Sequence, residues 1–204
     1  MDIFSRLQVA RRARDERRDL ISTESDAPKG GPVTGGSMQS KVFQLLVDNT
    51  SGVLSRISGL FSRRGYNIES ITAGTTADPR YTRITIVATG DDEILEQIEK
   101  QLRKLADVRN IKELKPESSV YRELAMIKVE TVSADQRVQI ASIVDMFRAG
   151  IVDVADESLI IEIVGNTSKV DALIRMMQGY NILEIARTGI AGLARGKDEV
   201  VYLP

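Results

Sequence analysis

From Lys41 the apolar residues recur with a period of two: Phe43, Leu45 and Val47 fall on one face of an extended run, and Val42, Gln44 and Leu46 on the other. That period predicts a first strand over 41–48. It lengthens to a helical one over 52–64, where Val53, Leu54, Ile57, Leu60 and Phe61 share a face and Arg56, Arg63 and Arg64 lie outside it. Gly65 is the expected stop, because a helix end favours a residue that tolerates the left-handed conformation. Two runs rich in Ile, Thr, Val or Tyr, 66–75 and 81–89, flank Asp78 and Pro79 and predict an antiparallel hairpin. Asp91 and Asp92 open a second helix with Ile94, Leu95, Ile98, Leu102 and Leu105 as its buried stripe and Lys100, Arg103 and Lys104 near its negative end. A fourth strand over 108–115 completes the order βαββαβ, a two-layer arrangement of one antiparallel sheet and two helices.

After Pro116 the order starts again. A strand is expected over 122–131, a helix over 135–149 with Ile140, Ile143, Val144 and Phe147 inward, and strands over 151–155 and 158–164. A helix over 168–178, with Val170, Leu173, Ile174 and Met177 inward, precedes a strand near 182–188. The halves share topology without evident sequence identity, and their boundary is placed near 116–120. Four segments follow: an extension over 1–37, a first module over 38–116, a second over 117–196 and a tail over 197–204. Residues 3–20 could form a short helix with Ile3, Phe4 and Leu7, but the stripe fades into charge beyond Ala10. Pro28 to Ser37 read as a linker rich in Gly, Pro, Ser and Thr, so 1–37 is expected to be a flexible extension or leader with Met38 as the natural start. A transit peptide fits less well, since the segment holds six acidic residues beside seven basic ones. The tail is expected to stay loose until a strand over 200–203 finds a partner.

Composition removes most enzyme classes. There is no Cys and no His, which excludes thiolate nucleophiles, disulfides, imidazole acid/base catalysis and the usual zinc sites. With 28 Lys+Arg against 29 Asp+Glu, no overall field draws the chain to nucleic acid or to an anionic membrane. The apolar runs are far shorter than a bilayer span, and no secretory signal follows the first residue. A cytoplasmic location is expected, with neither nucleic acid nor membrane as partner. Aromatic residues make up 4% and Trp is absent, so a base-stacking surface is not expected.

The most informative stretch is Asp48-Asn49-Thr50-Ser51-Gly52-Val53-Leu54, where the first strand feeds the first helix. Ser51 or Thr50 can cap that helix, and the free N–H groups around Gly52, Val53 and Leu54 make a positive end suited to an anion. Gly52 lets a carboxylate approach the backbone, and the Asn49 amide can donate or accept. An ordinary capped helix would carry the same residues, and local chemistry alone favours it. Asn67, after Gly65 and Tyr66, is a second polar point or simply a turn residue. The run Gly189 to Gly196 resembles a phosphate loop in composition only and is expected to be flexible. Asp153, Asp156 and Glu157 are read as turn residues ahead of a cation site. Arg56, Arg63 and Arg64 are read as a solvated face, with a partner's acidic groove as the alternative.

The runs Asn49-Thr50-Ser51-Gly52-Val53-Leu54-Ser55-Arg56 and Gly59-Leu60-Phe61-Ser62-Arg63-Arg64-Gly65-Tyr66-Asn67-Ile68-Glu69-Ser70 closely resemble the small, regulatory subunit of acetolactate synthase. Residues 95–102, 147–154 and 184–189 continue the match, so the resemblance spans both modules. It implies an α+β fold of two consecutive ferredoxin-like sandwiches, the first an ACT domain that pairs with a second copy to bind a branched-chain amino acid. It also implies a chain without catalysis of its own that binds and activates a large, thiamine-diphosphate-dependent subunit and confers feedback inhibition by valine. Thiamine diphosphate, magnesium and FAD would belong to that catalytic subunit, and none to this chain. Carried over by position, the effector site takes Asn49, Ser51, Gly52, Val53 and Leu54 from one protomer and Asn67 and Ile68 from its mate. Val53 stands where the family pattern has alanine, so the choice among valine, leucine and isoleucine stays open. A free-standing ACT-type amino-acid sensor acting on another enzyme would carry the same effector motif and is the alternative.

Overall fold

The computed structural model describes residues 38–197. The expectations for the extension 1–37 and for a strand over 200–203 lie outside the described residues. Two antiparallel sheets, each covered on one face by two helices, give the α+β architecture of two consecutive βαββαβ sandwiches. The first module runs β1 (Gln39–Asp48), α1 (Val53–Arg64), β2 (Asn67–Thr75), β3 (Tyr81–Gly90), α2 (Asp92–Leu102) and β4 (Val108–Leu114), with strand order β2-β3-β1-β4. The second runs β5 (Ser119–Glu130), α3 (Ala134–Met146), β6 (Gly150–Val154), β7 (Ser158–Gly165), α4 (Thr167–Met177) and β8 (Ile182–Arg187), with order β6-β7-β5-β8. In each, the central strands are the first and third in sequence, because each helical crossover returns the chain past its neighbour.

Both cores follow from the two periodicities. Phe43, Leu45 and Val47 of β1 and Ile84 and Ile86 of β3 face Ile57 and Phe61 of α1 and Leu95, Ile98 and Leu102 of α2. In the second module Ala125, Ile127 and Val129 of β5 and Leu159, Ile161 and Ile163 of β7 face Ile140 and Val144 of α3 and Val170, Leu173 and Met177 of α4. Each fully buried Ile, Leu or Phe contributes about 1.5–3 kcal/mol by leaving water. Gly65 ends α1 as expected: at φ 67° it is left-handed and returns its N–H to the carbonyls of Phe61 and Ser62. Asp91 caps α2 by accepting from the Ile94 N–H at 2.8 Å.

Three expectations change. Helix α3 stops at Met146, not at Ala149, because Arg148 takes the left-handed turn at φ 49° and the Ala149 N–H closes back on the Val144 carbonyl at 3.0 Å. The glycine expected to mark such a stop comes only at position 150, so the pattern overran. Gly52, not Ser51 or Thr50, caps α1, with φ 84° and no side-chain cap bond.

The third change is the largest. The run read as flexible contains β9 (Ala191–Ala194), which pairs antiparallel with the first four residues of β5, from Ser119↔Ala194 to Arg122↔Ala191. It lies over the outer face of the first sheet, where Val42, Val87 and Leu114 pack with Tyr121, Ile190 and Ala194. Gln44 is buried there and donates its Nε2 to the Gly192 carbonyl at 2.7 Å. Thr72 Oγ1 donates to the Thr188 carbonyl at 2.9 Å, and Tyr121 Oη to the Leu114 carbonyl at 2.5 Å. This cover explains why every residue from Val42 to Val47 is buried, although alternation alone would leave one face of β1 wet.

Candidate functional site

Strand β1 ends at Asp48 beside Tyr81 of β3, and the chain turns through Asn49, Thr50, Ser51 and Gly52 into α1. A cavity of about 340 Å³ opens at this turn, lined by residues 47–55 together with Thr82 and Ile84 of β3. The first intrahelical bond joins the Arg56 N–H to the Gly52 carbonyl at 2.9 Å, which leaves the N–H groups of Val53, Leu54 and Ser55 without a helical acceptor. No acidic residue stands in that first turn. The other described helices are supplied: Asp91, Ser133 and Asn166 cap α2, α3 and α4 with their side chains, and Asp92, Glu93 and Asp135 add negative charge to α2 and α3. Among the described helices, α1 alone has neither a side-chain cap nor an acidic residue in its first turn, and the Asp48 carboxylate at the cavity is neutralised by Arg109, so the helix start remains the electrostatic complement of an anion.

The expected site residues are divided by the fold. Asn49, Ser51, Gly52, Val53 and Leu54 all line the cavity. Leu54 is 48% exposed and free to meet a ligand, whereas Val53, at 4%, also belongs to the core beneath α1. The Asn49 amide is already engaged: Nδ2 donates to the Pro79 carbonyl at 2.8 Å, and Oδ1 accepts from Thr82 Oγ1 at 3.1 Å. Its first role is therefore to pin the turn before β3 against the cavity wall. Asn67 and Ile68 begin β2 opposite Thr89 and Ala88, level with Ser40 and Lys41 of β1. They stand at the other end of the sheet, roughly eight strand residues or ~26 Å from Asn49.

Two bidentate ion pairs stand beside the cavity, which only Asp48 of their four residues lines, and neither follows from the sequence. Arg56 donates Nε and Nη2 to Asp107 at 2.6 and 2.8 Å, and Arg109 donates to Asp48 at 2.7 and 2.6 Å. The hydrogen bonds from Arg56 hold the Asp107 carboxyl below its ordinary range, and those same bonds raise the Arg56 guanidinium. Only the sheet order reveals these partners, because β4 lies beside β1 although about 60 residues separate them. The contribution of Asp107 is present above its ordinary titration range and is lost as pH falls through its lowered folded value. Arg56→Leu should therefore move the Asp107 carboxyl titration upward, followed by carboxyl-carbon NMR. An unmoved titration would detach the pair from this rim.

Elsewhere, Asp153 ends up exposed on β6, and Asp156 and Glu157 lie in the turn to β7, where the Asp156 carbonyl accepts from Arg137. Among the described residues no group of three or more Asp, Glu, His or Cys is placed to hold a metal ion, and no helix is long and apolar enough to cross a membrane.

Comparison with known proteins bears on both modules. Residues 43–110 match the family model of an "AHAS small subunit-like ACT domain", and residues 122–196 that of the "small subunit of acetolactate synthase". A probable acetolactate synthase small subunit of Methanothermobacter thermautotrophicus is 44% identical over 155 residues, covering 76% of this chain and 92% of its own. The chain belongs to the acetolactate synthase small-subunit family. The isozyme 3 small subunit of Salmonella typhimurium is 41% identical over 157 residues, covering 76% of this chain and 96% of its own. The crystal structure of the acetolactate synthase small subunit of Thermotoga maritima superposes with a TM-score of 0.71 at 41% identity, over 78% of this chain and 99% of its own. The first module is thus an ACT domain, and the cavity lies at the start of its first helix.

Proposed function

We propose that this chain is the regulatory subunit of an acetolactate synthase complex in branched-chain amino acid biosynthesis. It binds and activates a thiamine-diphosphate-dependent catalytic subunit and confers feedback inhibition by valine or a related branched-chain amino acid. The carrying observation is the uncapped, acid-free start of α1. A valine carboxylate set there meets the N–H groups of Val53, Leu54 and Ser55 and a favourable dipole, while Leu54 offers apolar surface to the side chain.

The pocket in this reading is shared by a homodimer of ACT domains, Asn49, Ser51, Gly52, Val53 and Leu54 from one protomer and Asn67 and Ile68 from its mate. The distance between the two groups within one chain supports this, since a single valine spans far less than the length of a strand. Residues 38–116 are the effector-binding module and 117–196 the second module of the same subunit. Thiamine diphosphate, magnesium and FAD are assigned to the catalytic subunit, and the complex to the cytoplasm.

The test is reconstitution. Purified alone, the chain should form no acetolactate from pyruvate; mixed with the catalytic subunit it should raise turnover and make it sensitive to valine. Pyruvate turnover by the isolated chain would sink the reading. Valine binding without any effect on, or association with, the catalytic subunit would favour a free-standing amino-acid sensor.

A further inference from the structure

The joint between the modules holds two cavities. The larger, about 580 Å³, contains Arg187, whose charge is met by the buried Glu123 at 2.5 Å and by Asp171 at 2.8 Å. The second, about 440 Å³, is different in kind. Its floor is the outer face of the first sheet, including Thr72, Arg83 and Thr85, and its wall is formed by β5 and β9, including Val120 and Arg122. No Asp or Glu lines it. Arg83 is partly buried and makes no hydrogen bond or ion pair among the described residues, while Arg122 donates only to the carbonyl of its neighbour Tyr121, at 2.6 Å. Two guanidinium groups thus share a hollow with hydroxyls and apolar side chains and with no counter-charge.

A half-buried cation without a partner is costly. Burial alone depresses the Arg83 guanidinium, the direction expected when nothing opposite in sign stands nearby. Arg also presents a planar fork suited to two oxygens of one carboxylate or phosphate. We propose that this inter-module cavity binds a small molecule bearing a multiply charged oxyanion, phosphate or carboxylate, held between Arg83 and Arg122, at a site separate from the cavity at the start of α1. The hydroxyl of Thr85 supplies a further donor, and Val120 and Leu193 an apolar wall for the rest of the ligand, while the Thr72 hydroxyl, which already donates to the Thr188 carbonyl, can only accept. Since the floor belongs to the ACT domain and the wall to the second module, an occupant ties the two together.

The experiment is calorimetric titration of the full chain, at low salt and without divalent cations, with inorganic pyrophosphate in one arm and citrate in the other. Saturable binding is expected in at least one arm, pyrophosphate alone indicating a phosphate ligand and citrate alone a carboxylate one. Arg83→Gln and Arg122→Gln should each weaken it at least tenfold, Arg83→Lys should retain part of it, and saturating valine should not compete. Thermal melting confirms that the variants fold. No saturable binding in either arm, or affinity in both Gln variants equal to that of the parent chain, overturns the proposal. So does a parent chain that binds neither probe yet dissociates into monomers when Arg83 is replaced by Gln, because the cations would then be met by a second copy of the chain.

Discussion

Gly189→Val is expected to loosen the joint between the two modules while leaving both cores intact. Gly189 is buried at φ 79°, where a β-branched residue is a genuine outlier and an ordinary L-residue costs about 1–2 kcal/mol. Space is also lacking: a Cβ there would lie 2.8 Å from Ser70 Cβ and 3.2 Å from Thr72 Oγ1. Ser70 and Thr72 belong to β2, so the obstruction is fixed to a sheet and cannot swing aside as a long side chain would. Overpacking of that kind adds about 1–3 kcal/mol, for a combined loss of roughly 2–5 kcal/mol. The bond from Thr72 to the Thr188 carbonyl and the pairing of β9 with β5 lie next to the change. Hydrogen exchange should therefore rise at residues 119–122 and 190–194 while the amides of β1 and β3 keep their protection. Gly189→Ala should show a smaller effect in the same direction. Unchanged exchange and an unchanged melting temperature in the Val variant would mean that this segment is not the strap described above.

How far the fold could be read beforehand depended on element length and regularity. Strands β1 and β3 and the stretch Ile94 to Leu102 of helix α2 carry apolar positions repeating over seven or more residues, and their placement agrees with the structure, whereas the expected α2 stripe overran to Leu105, past the helix end at Leu102. β9 carries Ala191, Gly192, Leu193 and Ala194, too short a run to show a period. Its glycine suggested freedom, yet a Cβ on Gly192 would lie 2.7 Å from Leu114 Cδ1 and 3.1 Å from the Tyr121 ring. There the residue is small because another part of the chain comes close, and sequence does not separate that cause from flexibility. The turn at Asn49 to Leu54 was visible for its residue types. Its rim was not, because Asp107 and Arg109 become neighbours of Asp48 and Arg56 only once β4 docks beside β1. Arg83 escaped notice for a similar reason: on an isolated strand it is an ordinary outward cation, and only the second module half-covers it.

Under the effector assignment proposed above, Gly52→Asp should abolish valine inhibition of the reconstituted complex. Three effects act together. The new carboxylate stands beside the uncapped N–H groups of α1 and occupies the charge complement that the ligand anion needs, so repulsion and lost hydrogen bonds of about 1–3 kcal/mol each weaken valine by at least tenfold. The backbone resists as well, since φ 84° at this cap is left-handed and carries a cost of about 1–2 kcal/mol, at the low end for Asp. A side chain here also meets Arg56, whose Nη1 lies 2.9 Å from the position of a Cβ. Arg56 is about half exposed and can shift, and it would turn from Asp107 toward the new carboxylate. Asp is well tolerated at a helix cap in extended conformation; the left-handed backbone of Gly52 removes that advantage, and a melting temperature lower by about 2–8 °C is expected. Gly52→Ala separates the causes, because it keeps the strain and much of the bulk but adds no charge: it should lose similar stability yet retain part of the valine response. Maximal turnover should stay near that of the parent complex in both variants. Normal half-inhibition by valine in Gly52→Asp would place the effector elsewhere, and loss of activation together with inhibition would show that the catalytic subunit touches this same turn.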